Sequence, residues 1–395
     1  MSASRKFLIW STKNDKSEMI DGKFFSKLID PTVKMIKEKN IACTEIVGGL
    51  EGSEKDSYLC ENFICFLDYY QKPKKISLGK IIQGIKKKCG FLEKSFDLGM
   101  ERAFAKILEN EKITDVIGIE IPIELIFECK KRKIPIFEIA HGYGYSKQKP
   151  PSCMRNRRKE LFPDHLIVLD GIAYKNLVGV SENQTVHFCE HPFLNDYDHW
   201  ANQVGEKAKA FLDELEKKRK VIVLCSLNWG YDKDHPEMRH LDGILKNGLM
   251  HESLIDTINK TKSDIHWLIR PHPVHVKNKI KYRKHFEFLE NLKNKLGNVD
   301  WELCSQIPLM ILMRNVDRHV TMRSETAYDA ALLGVKTVFL CPLIKIEEYF
   351  KDIIEAEFAS TCELKSEAIL SKLKDEPISI EPMFFSNKKI ISVVE

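Results

Sequence analysis

Four groups of residues in the second half of the chain have types and spacing suited to holding a phosphorylated ligand. The first is Ser226-Leu227-Asn228-Trp229-Gly230-Tyr231-Asp232, directly after an apolar run. Gly230 between two aromatics lets backbone approach a ligand closely. Asp232 and Asp234 form a D-x-D pair, a weak metal signal on its own. Asp232 is equally a nucleophile or base candidate, and a loop aspartate is also an ordinary turn or cap residue. The second group, Arg270-Pro271-His272-Pro273 with His275 nearby, fixes a cation and an imidazole in one rigid turn. That suits a phosphate or a carboxylate, and it is also simply a good turn. The third is Arg323-Ser324-Glu325-Thr326 at the start of a helical pattern. Amides and hydroxyls there accept an anion, or Ser324 merely caps the helix. The fourth is Asp329 followed by Ala330-Ala331-Leu332-Leu333-Gly334 and a strand. An acid so placed reaches ribose hydroxyls in nucleotide-binding folds.

The elements that carry these groups are short β-branched runs alternating with amphipathic stretches. Strand patterns cover Lys6–Trp10, Ile41–Val47, Thr114–Ile119, Ile134–Ala140, Leu166–Leu169 and Thr185–Phe188. The pattern then restarts with strands at Lys220–Cys225, His266–Arg270, Arg318–Thr321 and Val335–Leu340. Helical spacing occupies Pro31–Lys39, Glu252–Thr261, Pro308–Arg314 and Thr326–Leu333, and Asp196–Arg219 is polar and helix-prone. Such alternation predicts an α/β protein with parallel sheets. The expected division is 1–198, 199–376 and a tail of 377–395.

Composition narrows the class. The 395 residues are 43% hydrophobic and 30% charged, as in a globular chain. A net charge of +5 is too small for a nucleic-acid footprint. No apolar run approaches the ~18–20 residues of a bilayer span, and the N-terminal stretch is too short for a signal peptide. Eleven scattered cysteines without a C-x-x-C point to free thiols in a reducing cytoplasm, not to zinc. Residues 72–94 carry eight lysines among spaced isoleucines. They read as a solvated lysine face or as a surface for anionic lipid. The loop 147–159 holds six cations and steers an anion or is simply solvated.

Taken together, the order and spacing of residues 220–340 resemble the bacterial surface-polysaccharide glycosyltransferases of the GT-B fold, with two Rossmann-like domains facing a central cleft. His272-Pro273 looks like the motif of the members that use CMP-activated keto-sugar acids. Asn228 and Asp232 fit places found in the retaining β-Kdo transferases of capsule and O-antigen assembly (Kdo is 3-deoxy-D-manno-oct-2-ulosonic acid), though without the glutamine of their strict motif. The resemblance implies CMP-β-Kdo as donor, a saccharide or lipid-linked saccharide as acceptor, and no cofactor or essential metal. It implies Asp232 as nucleophile and His272 as donor to the departing phosphate. Ser324, Thr326 and the helix N-terminus would meet the phosphate, Asp329 the ribose, and Arg270 or Arg323 the sugar carboxylate, with Asn228 and Glu325 among the substrate- and nucleotide-binding residues. Glu120 and His141 each end a strand of the first half and, with His235 and the departing phosphate, are candidates for acceptor activation, while His141 is equally a structural imidazole. Localisation is expected to be cytoplasmic, with peripheral membrane contact through 72–94. The alternatives are an inverting transferase with another CMP-, CDP- or UDP-activated donor, a nucleotide-sugar 2-epimerase, and a non-enzymatic binding module.

Overall fold

The computed structural model describes residues 5–60, 62–70, 96–147, 149–155, 157–218, 220–228, 245–246, 248–347, 350–375 and 386–395. Asp232, Asp234, His235 and the basic stretch 72–94 lie outside the described residues.

Two six-stranded parallel sheets organise the chain. The first contains β1 (Lys6–Thr12), β2 (Ala42–Gly48), β3 (Asp115–Gly118), β4 (Ile136–Ile139), β5 (His165–Val168) and β6 (Thr185–Phe188), in the order β2-β1-β3-β4-β5-β6. The second contains β7 (Val221–Ser226), β8 (Ile265–Arg270), β9 (Val299–Asp300), β10 (Arg318–Thr321), β11 (Lys336–Phe339) and β12 (Ala359–Thr361), in the order β9-β8-β7-β10-β11-β12. Each order reverses once, beside β1 in one sheet and beside β7 in the other. Ligands of open α/β sheets sit at such reversals, beyond the carboxyl ends of the strands.

The central strands are apolar on both faces because helices cover both. β8 is buried along its whole length and β1 at its five middle positions. The main helices are α1 (Ile29–Glu38), α2 (Leu98–Asn110), α3 (Ile123–Arg132), α4 (Gly171–Leu177), α5 (Glu206–Lys217), α6 (Glu252–Lys260), α7 (Pro273–Lys277), α8 (Arg283–Leu296), α9 (Leu309–Arg314), α10 (Thr326–Leu332) and α11 (Ser366–Leu373). α2 shows why they form. The Asp97 carboxylate accepts from the Gly99 N–H and starts the helix, and Ala103, Phe104, Ile107 and Leu108 make its buried stripe.

The chain forms two compact units, residues 1–17, 22–197 and 382–395 in one and 18–21 and 198–381 in the other. The boundary between the units falls at residues 197 and 198, and the tail expected at 377–395 has residues 382–395 in the first unit. Its last residues complete the first unit. The Glu190 N–H donates to the Lys388 carbonyl at 2.8 Å, the Ser386 hydroxyl donates to Phe188 O at 3.0 Å, and Ile390 is fully buried. The polar stretch 196–219 breaks into two helices at Val204-Gly205, where Gly205 supplies the extended N-cap of α5. No helix of the described residues is long and apolar enough to cross a membrane. The described cysteines are all free thiols.

Candidate functional site

In the second unit the register puts three of the expected groups on one line. Arg270, Ser226 and Thr321 are paired neighbours across β8, β7 and β10. Two residues beyond each stand His272, Asn228 and Arg323, at the carboxyl edge where the sheet order reverses.

Asn228 ties this edge together. Its Nδ2 donates to the Arg323 carbonyl at 2.6 Å, and its Oδ1 accepts from the Arg323 N–H at 3.1 Å and the Thr321 hydroxyl at 3.0 Å. The amide thus serves the Arg323 backbone as a ladder partner would, beyond the end of β10. The sequence assigned Asn228 to the ligand. The structure gives its amide a bracing task, which fixes the 322–326 turn instead. Asn228→Ala is expected to lower stability by about 2 kcal/mol, because two backbone groups lose their partner. Urea unfolding measures this, and an unchanged midpoint would show that the clamp is dispensable.

His272 caps α7, its Nδ1 accepting from the Val274 N–H at 3.2 Å. That bond places the ring proton on Nε2. Burial, with the Arg270 charge adding to it, pushes the imidazole down to about 4. His272 is therefore neutral near pH 7, with Nε2–H as its donor.

Two expected assignments change. Arg270 was a candidate for the sugar carboxylate, but its guanidinium is buried and turned inward. Nη1 donates to the carbonyls of Cys304 and Ile307 at 2.5 and 2.6 Å, and Nη2 lies 3.7 Å from the Glu18 carboxylate. A strand arginine with an acid and two carbonyls at hand satisfies its charge inside the fold. Asp329, expected on ribose, is 2% exposed on the core side of α10, where its charge faces His319. Glu325, at the N-cap position of the same helix, is the more exposed acid. Arg323, Ser324 and Thr326 are half-buried around it.

Beneath these residues lies a network that no sequence signal marked. His319, fully buried in β10, has its Nδ1 2.9 Å from the Thr337 hydroxyl and its Nε2 2.9 Å from the Ser226 hydroxyl. The Thr326 hydroxyl is 3.4 Å from the same Nε2. Burial drives this imidazole down to about 3, so it remains a neutral hub for three hydroxyls.

The first unit has its own constellation at its reversal. Gly118 pairs with Trp10 on β1 and Glu138 on β4. A Cβ at Gly118 would stand 2.5 Å from the Trp10 carbonyl, so only glycine permits this approach. Two positions further, Glu120 holds the left-handed conformation at φ +50°. Its exposed carboxylate sits after β3, and His141 sits after β4. His141 Nδ1 lies 3.2 Å from Asp15 Oδ1. The other Asp15 oxygen accepts from the Thr12 N–H at 2.7 Å and the Thr12 hydroxyl at 2.8 Å. Asp15 is buried and His141 is half exposed. The Asp15 hydrogen bond raises the imidazole above the ordinary histidine range, burial opposes it, and the charges of Asp15 and Glu120 add to the rise. Sequence reading named His141 and Glu120 but missed Asp15, whose only signal was its place in the loop after the first strand. Glu138 below them is fully buried, and desolvation pushes it up to about 8, against the pull of Arg157.

Among the described residues no three metal-ligating side chains converge. No protein-family model and no curated protein matches the chain. Solved structures do. A UDP-GlcNAc 2-epimerase from Methanocaldococcus jannaschii aligns over 98% of this chain and 99% of its own, with TM-score 0.60 and 14% identity. The Neisseria meningitidis UDP-GlcNAc 2-epimerase bound to UDP-GlcNAc aligns over 93% and 90%, with TM-score 0.57 and 12% identity. A UDP-N-acetylglucosamine 2-epimerase from Rickettsia bellii aligns over 96% and 89%, with TM-score 0.51 and 14% identity. The fold is GT-B. At these identities the likeness is one of fold, and a GT-B fold by itself does not select a reaction.

Proposed function

We propose that this chain is a nucleotide-sugar 2-epimerase. The observation that carries the reading is the Asp15–His141 dyad. It is an imidazole oriented and made more basic by a buried carboxylate, with Glu120 two residues past the adjacent strand β3. Such a pair is built for proton transfer.

Inversion at C2 of a nucleotide-linked hexose needs proton transfer. The C2 proton is not acidic while the nucleotide is attached. As the C1–oxygen bond breaks, positive charge develops at C1 and acidifies C2–H. A base removes that proton, leaving a C1–C2 double bond. An acid then protonates the opposite face and the nucleotide returns to C1. His141 and Glu120 are assigned these two proton roles. In the second unit, the His272 Nε2–H, the Ser324 and Thr326 hydroxyls and the Arg323 guanidinium are assigned to binding a nucleotide's phosphates. Glu325 is placed on the ribose. The solved epimerases of the same fold in complex with UDP-GlcNAc support a uridine diphosphate sugar as substrate.

Retaining Kdo transfer, expected from the sequence, depends on Asp232, which lies outside the described residues. The same experiment separates the two. Incubation with UDP-GlcNAc in D2O, followed by proton NMR, is expected to show loss of the C2 proton signal and appearance of the epimer without any acceptor. A transferase leaves C2 protonated and, given CMP-Kdo and an acceptor, releases CMP. Retention of the C2 proton alongside acceptor-dependent CMP release would overturn the epimerase reading.

A further inference from the structure

The loop that follows α7 has a composition and an exposure that the nucleotide site does not use. Residues 277–284 contain Lys277, Lys279, Lys281, Arg283 and Lys284, five cations, and no acid. All five are exposed, and Arg283 shares its charge with Glu287 at 3.1 Å. Between Lys279 and Lys281 stands Ile280, 95% exposed, the most exposed large apolar side chain among the described residues. One exposed isoleucine is ordinary on a protein surface. An isoleucine at the crest of a loop with five cations is a different object.

The loop is held from below. Tyr282 is buried, its ring stacked on His285 at 5.2 Å and edge-on to His275 at 4.7 Å. The Asn278 N–H donates to Val274 O at 3.2 Å, and the Tyr282 N–H donates to Asn278 O at 3.1 Å. The tip is therefore already ordered, and docking needs little further loss of loop freedom.

We propose that the 277–284 segment, from the end of α7 to the first turn of α8, docks the second unit on an anionic lipid surface, with Ile280 entering the headgroup layer and the surrounding cations meeting lipid phosphates. Clustered lysines and arginines are drawn to the negative potential of such a leaflet. The apolar crest selects lipid over nucleic acid, because a phosphate backbone gives an isoleucine nothing to bury in. This inference is independent of the reaction proposed above.

The test is co-sedimentation of the full chain with vesicles at roughly 0.1 M salt, where surface charges still act over about 10 Å. Vesicles of phosphatidylcholine with about 30% phosphatidylglycerol are compared with phosphatidylcholine alone. Binding is expected only to the anionic vesicles, and it should fall as salt is raised. Ile280→Asp and the double change Lys279→Glu, Lys281→Glu should each weaken it by about tenfold or more. All three positions are exposed, so unchanged thermal unfolding verifies intact variants. Equal pelleting with neutral vesicles, no pelleting at all, or wild-type pelleting of Ile280→Asp would each overturn the proposal. So would tight binding of a single-stranded RNA oligonucleotide that displaces the vesicles and ignores the Ile280 change.

Discussion

His141→Asn is expected to lower turnover about 10³-fold while nucleotide affinity stays near that of the unaltered protein. Asparagine keeps the polarity and approximate size of the imidazole but cannot exchange a proton near pH 7. The nucleotide contacts are assigned to a different unit, so UDP affinity measured by calorimetry should not move. Asp15→Asn makes a sharper companion. The carboxylate raises the His141 pKa chiefly through their hydrogen bond, so the neutral, basic form of the imidazole appears only above that raised value. Removing the carboxylate lets the pKa fall toward the ordinary histidine range. The acid limb of the pH–rate profile should therefore move to lower pH, with a lower plateau because the ring loses its orientation. A merely structural His141 would leave that limb in place. Near-wild-type turnover of His141→Asn would remove the dyad from the chemistry.

The largest expected stability effect lies at Lys16. Its side chain is fully buried, with Nζ 2.5 Å from Asp30 Oδ1, 3.7 Å from Glu45 Oε2 and 2.6 Å from the Leu59 carbonyl. Burial works against the ammonium, but the charges of Asp30 and Glu45 outweigh it and hold the lysine above its ordinary pKa. Lys16→Met removes the central cation from two buried carboxylates, with Lys37 remaining 4.0 Å from Glu45 Oε1. A loss of about 3–5 kcal/mol is expected in urea unfolding at neutral pH. Protonating the stranded acids relieves their repulsion, so the deficit should shrink as pH falls. Replacing all three residues by apolar ones of similar volume should recover much of the loss, since an ion pair sealed in a core often does no better than packed hydrocarbon. A deficit under about 1 kcal/mol for Lys16→Met would mean that water already reaches the triad.

The strands were legible because both faces are covered. Runs such as Ile265–Arg270 and Thr185–Phe188 are dense in branched and apolar residues, and they form strands within a residue of the expected bounds. The carboxyl ends of these strands were legible too, since Ser226, Thr321 and Arg270 each precede a polar loop. Direction was not. Sequence shows that Arg270 is a cation beside a His-Pro turn, but not that Cys304, Ile307 and Glu18 close around it from distant segments. Asp15 was invisible for the same reason, since its partner lies three strands away in the chain. Asp329 has the spacing of a ribose acid, yet helix phase turns it onto His319. The Asn228 amide has the chemistry of a ligand contact and meets backbone instead. Tertiary closure, which no local pattern encodes, decided each of these cases.

The return of residues 382–395 to the first unit governs how the protein is made. The N-terminal sheet is synthesised early, but Ile390 and Val394, both buried in that unit, leave the ribosome only after the whole second unit has done so. The first unit must wait, incomplete, through translation of the whole second unit. A stop codon introduced before Ile390 would thus damage the half of the molecule encoded furthest from it.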